Sequence, residues 1–264
     1  MLAEHGIRPS KALGQNFVAD HNTVERIARL AGLSPELTIV EVGAGLGGLT
    51  QVLAASGAQV VALEIDHRLV EALGELLVGG NVEIVEADAL RVDWERLLVN
   101  RRRPIVLVSN LPYSVATPLL LRVLEQAPSI ERLLVMVQRE VGERWVAAPG
   151  DPQYGAVSVK VAYWCQASLV GRVPPNVFVP RPKVDSVLAS MVRRPQPAVD
   201  PSIVSYERFE AVVRAGFAHR RKMLRRSLAA IVEPSAFEAA GVDSSARAEE
   251  LGVEAWGELA RIRP

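Results

Sequence analysis

The sequence predicts an α/β fold: a doubly wound sheet of seven strands followed by a small helical domain. Three observations predict it. From Thr38 onward, short apolar runs alternate with helical periods. The runs are Val/Ile/Leu-rich and nearly continuous, as strands covered by helices on both faces are. After the proline-rich stretch 193–202 the period becomes helical only.

The elements follow in order. The first 35 residues read as a loop and then a helix with Val24, Ile27, Ala28 and Ala31 on one face. TIVEVG (38–43) is the first strand and LGGLTQVLAAS its helix. QVVALEID is the second strand and RLVEALGELL its helix. NVEIVEADA is the third and PIVLVSN the fourth; the helix TPLLLRVLEQA leads to ERLLVMVQ, the fifth. AVSVKVAYW (156–164) and DSVLASMVRR (185–194) have no clear helix between them and are expected to form an antiparallel hairpin closing the sheet. The stretch RRPQPAVDPS reads as a linker, giving domains 1–198 and 199–264. The second should hold two helices, YERFEAVVRAGF and HRRKMLRRSLAAIV, and shorter pieces.

Composition sets limits. At 264 residues and 49% hydrophobic, the chain can bury a full core without covalent staples. A single cysteine, Cys165, excludes an intramolecular disulfide and sits in an apolar run as a small core residue. The N-terminal residues have no apolar signal region, and no run approaches a membrane span of about 18 residues, so a cytoplasmic protein is expected. The histidines at 5, 21 and 67 lack metal-ligand spacing. Net charge is zero, but from Lys160 to Arg226 there are 13 Lys or Arg against 4 Asp or Glu, a local balance of +9. That asymmetry suits one face to a polyanion, although a solvated basic surface would read the same way.

Four motifs lie at the carboxyl ends of the strands. In EVGAGLGGLT (41–50), Gly43, Gly45 and Gly47 allow a tight turn and close approach of a ligand. The G-x-G-x-x-G spacing from Gly43 also suits a dinucleotide, so spacing alone does not decide the ligand. Glu41, two residues earlier, favours a cationic sulfonium such as S-adenosylmethionine. Glu64, ending the second strand, is placed to accept from ribose hydroxyls. Asp88, ending the third, is placed to accept from an adenine amine. Either acid would also serve as a helix cap.

The fourth motif is Ser109-Asn-Leu-Pro-Tyr113, ending strand four. Strands one and four flank the point where the winding reverses, so Asn110 should face the glycine loop across the crevice. An exocyclic adenine amine is a poor nucleophile, because its lone pair is delocalised into the ring. Two acceptors on its hydrogens, the Asn110 side-chain oxygen and the Leu111 carbonyl, would favour a pyramidal nitrogen. Pro112 stiffens the turn and Tyr113 can stack on the base. Phe178, in a proline-held loop, can stack from the other side, as a base-modifying enzyme requires, or simply pack in the loop. Methylation of cytosine C5 would need a cysteine nucleophile, for which Cys165 is badly placed. Arg220, Arg221, Lys222, Arg225 and Arg226 read as a basic helix that contacts RNA phosphates.

The order GQNF (14–17), EVGAGLGGLT, LEID, EADAL, NLPY, VPPNVFVPRPKVDS (173–186) and HRRKMLRRSL (219–228) resembles the KsgA-type ribosomal RNA adenine dimethyltransferases over about residues 11 to 230. Ala44 and His219 depart from the usual proline and glutamine. The resemblance implies a Rossmann-like methyltransferase sheet, S-adenosylmethionine as cofactor, and N6,N6-dimethylation of two adjacent adenosines near the 3′ end of 16S rRNA. It implies a cofactor site at Asn16, Val18, Gly43, Glu64, Asp88 and Asn110, joined by Gly45 of the glycine loop, and a base site at Asn110, Leu111, Pro112, Tyr113 and Phe178. The expected partners are 16S rRNA and the small ribosomal subunit, with no membrane, no metal and no second copy of the chain. Two alternatives share the scaffold: an Erm-type methyltransferase of large-subunit rRNA, and a non-catalytic ribosome assembly factor.

Overall fold

The computed structural model describes residues 14–77, 80–219 and 221–262. Contacts divide the chain into two compact units. One runs up to Gly142 and takes in Ser168–Val192; the other comprises Glu143–Ala167 and the chain from Arg193.

The first unit opens with strand β1 (Phe17–Val18) and helix α1 (His21–Ala31). Asp20 caps α1, its carboxylate accepting from the Thr23 N–H at 2.7 Å. Val24, Ile27, Ala28 and Ala31 are buried, as their spacing predicts. The alternation that follows is β2 (Thr38–Val42), α2 (Gly48–Ala55), β3 (Gln59–Glu64), α3 (His67–Leu76), β4 (Val82–Glu86), α4 (Trp94–Leu98), β5 (Ile105–Asn110), α5 (Ala116–Gln126) and β6 (Ile130–Gln138); it matches the sequence reading except for the short helix α4, which that reading did not give. The next elements are α6 (Arg139–Val146), α7 (Ala156–Trp164), β7 (Cys165–Val173), β8 (Phe178–Val179) and β9 (Ser186–Arg193). The seven-stranded sheet has the order β4-β3-β2-β5-β6-β9-β7. Strands β2 to β6 are parallel and β9 is antiparallel to β6. Every residue of β2 is buried, as is usual for a central parallel strand with helices on both faces. The winding reverses between β2 and β5, which is where ligands bind in such sheets.

The expected hairpin is corrected. Residues 156–164 form helix α7, and the edge strand starts only at Cys165. The Gly155 N–H donates to the Ser158 hydroxyl at the start of α7, and Ser158, Val159, Val161 and Tyr163 are all buried. A helix buried on more than one face shows no single apolar stripe, so its alternating valines imitate a strand. Cys165 is buried, as expected, and burial pushes its thiol up to about 11.

The second unit contains α8 (Tyr206–Ala218), α9 (Leu224–Ser227), α10 (Pro234–Ala239) and α11 (Val253–Arg261). Its core joins Tyr154, Val159 and Tyr163 to Phe209, Val213, Phe237 and Trp256. Because α7 packs here, the unit reaches back before the 198/199 boundary expected from the proline-rich stretch. The expected second helix is also corrected. It is a single turn, because Met223 is extended and bridges Arg247, while the Leu224 and Arg225 N–H groups donate to the carbonyls of Ala246 and Ser244. Arg220 lies outside the described residues.

Candidate functional site

The site is a cleft at the carboxyl ends of β2, β3, β4 and β5. Its walls come from residues 14–17, the glycine loop, Leu63–Ile65, Ala87–Leu90 and Asn110–Val115. Register pairs β2 with β5 only as far as Val40 and Leu107, and beyond them the strand ends are tied by the Ser109 hydroxyl donating to the Val42 carbonyl. This buried serine went unnoticed in the motif reading, where it was only the residue before Asn110.

The glycine loop turns because Gly43 and Gly45 have φ of +74° and +59°. A Cβ at Gly43 would sit in ordinary contact with the Pro112 ring at 3.5 Å, whereas one at Gly45 would clash with the Phe17 ring at 2.9 Å. The carboxyl ends of β2 and β5 thus face each other across the crevice, as predicted. Phe17 also packs on Leu69 and Ala72 of α3, so the N-terminal segment crosses over the loop.

Glu64 is buried and lines the cleft. Its Oε2 accepts from the Gly45 N–H at 2.9 Å, and its Oε1 from the N–H groups of Ile65 and Asp66 at 2.9 and 3.0 Å. Three backbone donors fix the carboxylate; they fill both lone-pair directions of Oε1 and one of Oε2, so Oε2 keeps a direction to offer a ligand. Asp66 turns away to cap α3, held in a two-point pair with Arg68 that keeps its carboxyl below the usual range. Asp88 lines the cleft while accepting from the Leu90 N–H at 2.9 Å. Ile65, Ala89 and Leu90 add apolar surface beside these acids. They were not singled out in the sequence, although their place next to Glu64 and Asp88 on strand-to-helix turns was the available signal. Glycine curvature, two carboxylate acceptors and apolar walls match the loop, diol and flat ring of an adenosine ligand.

Two expected cofactor residues behave differently. Glu41 is buried behind the loop and does not line the cleft. Burial pushes its carboxyl up to about 8, the Thr50 hydroxyl offsets part of that, and the Glu64 charge adds to it. A carboxyl mostly protonated at neutral pH offers little attraction to a sulfonium, which corrects the reading of Glu41. Val18 does not line the cleft either; it pairs with Phe178 across the short β1–β8 ladder and packs on the core.

At the other end of the cleft, Asn110, Leu111, Pro112 and Tyr113 come together as expected. The Asn110 side-chain amide donates to the Asn16 carbonyl at 2.9 Å, and the Tyr113 hydroxyl lies 2.7 Å from that of Ser186. Phe178 is placed elsewhere. It is 2% exposed, lies in the core with Val24 and Val173, and is not part of the cleft wall. Among the described residues, the aromatic side chains of the cleft wall are Phe17, over the glycine loop, and half-buried Tyr113, in the same turn as Asn110.

Comparison with known proteins fits this arrangement. The profile of the family "Ribosomal RNA adenine dimethylase" matches residues 7–262. The chain belongs to the ribosomal RNA adenine dimethylase family. Its methyl donor is accordingly S-adenosylmethionine. The "Ribosomal RNA small subunit methyltransferase A" of Kineococcus radiotolerans is 47% identical over 98% of this chain and 87% of its own length. That of Thermobifida fusca is 44% identical over 100% and 93%. Among solved structures, the 23S rRNA methyltransferase ErmE is 30% identical, with a TM-score of 0.72 over 92% of this chain and 98% of its own. A dimethyladenosine transferase from Plasmodium falciparum, 20% identical, shares the fold with a TM-score of 0.76 over 92% of this chain and 95% of its own.

Among the described residues, no group of three or more His, Cys, Asp and Glu side chains is placed to hold a metal ion. No helix among them is long and apolar enough to cross a membrane.

Proposed function

We propose that the chain dimethylates N6 of two adjacent adenosines near the 3′ end of 16S rRNA, acting as a cytoplasmic monomer on the small ribosomal subunit and contributing to its biogenesis. The observation that carries this reading is Asn110 at the winding reversal, with its amide nitrogen already engaged by Asn16. That bond engages one of the two N–H groups and sets which way the amide faces, so its oxygen is the group that accepts from an adenine amine. The Leu111 carbonyl is placed as the second acceptor, and Tyr113 as the platform for the ring.

S-adenosylmethionine supplies the electrophilic methyl group. Gly43, Gly45, Glu64 and Asp88 would hold its amino-acid and adenosine parts. The protein's contribution to the transfer is chiefly alignment of the amine with that methyl. No base is needed beforehand, because the nitrogen becomes acidic only once alkylated and then gives its proton to water. The small-subunit reading is favoured over the Erm-type alternative because similarity is higher to the small-subunit enzymes, 47% and 44%, than to ErmE, 30%.

The test is transfer of labelled methyl groups to ribosomal subunits from a strain lacking the modification, followed by mass spectrometry of each rRNA. Dimethyladenosine in small-subunit rRNA alone is expected. Label in large-subunit rRNA would favour the Erm-type reading, and no label would favour a non-catalytic assembly factor.

A further inference from the structure

Ser186 is the first residue of β9, paired with Gln138 at the end of β6. The adjoining Arg139 N–H donates to the Asp185 carbonyl at 2.9 Å, which fixes where the strand starts. Ser186 is wholly buried, as are Val187, Leu188 and Ala189 after it. A hydroxyl in such a strand must find a partner or lose its hydration without return. Its partner is the phenol of Tyr113, 2.7 Å away and 73 residues distant in sequence. Among the described residues, neither hydroxyl has a second hydrogen-bond partner.

We infer that Ser186 is a positioning residue of the methyl-transfer reaction, holding the Tyr113 ring at the angle that receives the target base. The inference rests on the proposed reading that Tyr113 stacks on that base. Tyr113 follows Pro112 in a stiff turn, so its backbone is set, but its ring can still swing about the Cα–Cβ bond. A hydrogen bond at the far end of the ring restrains that swing. Burial keeps the phenol protonated, so it can donate and the serine oxygen can accept. The anchor comes from the start of the antiparallel strand, so the stretch ending in Val184-Asp185-Ser186 and the NLPY turn act on one ring.

The experiment compares wild type, Ser186→Ala, Tyr113→Phe, the double variant and Tyr113→Ala. It measures single-turnover methyl transfer to unmethylated small subunits, calorimetric affinity for S-adenosylmethionine, and thermal unfolding. Ser186→Ala and Tyr113→Phe should each slow transfer by about 3- to 10-fold, the size of one neutral hydrogen bond. Cofactor affinity should not change. The double variant should be no slower than the slower single variant, because both remove the same bond. A purely structural serine would instead slow the Tyr113→Phe protein further, and that additive result would overturn the inference. So would wild-type rates in Ser186→Ala. Should Ser186→Ala not fold, Tyr113→Phe still decides, since it keeps the stacking ring and removes only the anchor; a wild-type rate there overturns the inference. Tyr113→Ala tests the underlying reading separately: if it transfers methyl groups normally, Tyr113 is not the base platform.

Discussion

The Asn110 side-chain amide reaches across 94 residues of sequence to donate to the backbone carbonyl of Asn16 at 2.9 Å. A residue at the base end of the cleft is thereby oriented by the segment that crosses the cofactor end. Because the acceptor is a main-chain atom, it is present whatever side chain stands at position 16, provided that the segment keeps its path over Gly45.

Replacing Asn110 separates orientation from bulk. Asn110→Asp keeps an acceptor but loses the N–H donor and sets a carboxylate against the Asn16 carbonyl. Asn110→Ala loses both. Each should lower turnover by on the order of 10²-fold, as loss of one aimed transition-state hydrogen bond does elsewhere, while RNA binding stays close to wild type. Single-turnover rates and subunit binding check this. An Asp variant with normal turnover would mean that the Asn16 contact does not orient the amide.

Glu64 should matter twice over, because it meets both ligand and loop. As a charged acceptor for ribose hydroxyls it is worth about 1.5–3 kcal/mol, so Glu64→Ala should weaken S-adenosylmethionine binding by roughly 10- to 150-fold. The same change strands the N–H groups of Gly45, Ile65 and Asp66, so it should also lower the melting temperature without ligand. Calorimetry with unchanged affinity would contradict the assignment.

The buried Glu41 makes a prediction about pH. Its carboxyl is held at about 8 in the folded chain, against 4.5 when free. Between those values it is protonated when folded and ionised when unfolded, so the unfolded state binds fewer protons. Stability therefore falls as pH rises through this window, by about 1.4 kcal/mol per unit at most. Glu41→Gln keeps the shape and cannot ionise. Its melting temperature should fall less than that of wild type between pH 5 and pH 8. Parallel melting curves would show that Glu41 is not a buried neutral acid.

The parallel core was legible because buried strands such as Ile105–Asn110 are continuous apolar runs, and their carboxyl ends announced Glu64, Asp88 and Asn110. What escaped the sequence depends on tertiary partners. Helix α7 is wrapped by its own core, so its valines carry no stripe. Strand β7, CQASLVGRV, is largely unburied and has no apolar run to mark it. Phe178 looked like a base platform because proline-flanked aromatics often sit on loops, but it pairs with Val18 and faces the core. The bonds from Asn110 to Asn16 and from Tyr113 to Ser186 join positions 94 and 73 residues apart, which no local pattern encodes.

The basic segment supplies the last prediction. Arg221, Lys222, Arg225 and Arg226 are exposed, and Leu224 and Leu228 are buried beneath them. The single turn at Leu224–Ser227 does not place the charges on a helical face; it sets them on a short stretch pinned to residues 244–247. The Asp243 carboxyl is held below its usual range chiefly by its hydrogen bonds from Ser245 and least by the nearby Arg225 charge, so Arg225 is the basic residue of the segment that has this carboxylate beside it. The sharper variant is therefore Arg221→Ala, Lys222→Ala and Arg226→Ala together. Each lost phosphate contact should reduce the slope of log affinity against log salt by about 0.7–0.9, so the triple change should flatten it by about two to three. Cofactor affinity should stay unchanged, since the cleft is built from residues 14–17 and the strand ends. An unchanged salt slope with intact small subunits would make the segment a solvated face. The footprint would then be sought at the exposed Arg172, Arg181 and Lys183, because Arg101 is tied to Glu83 and Arg102 to the carbonyls of Pro35 and Glu36.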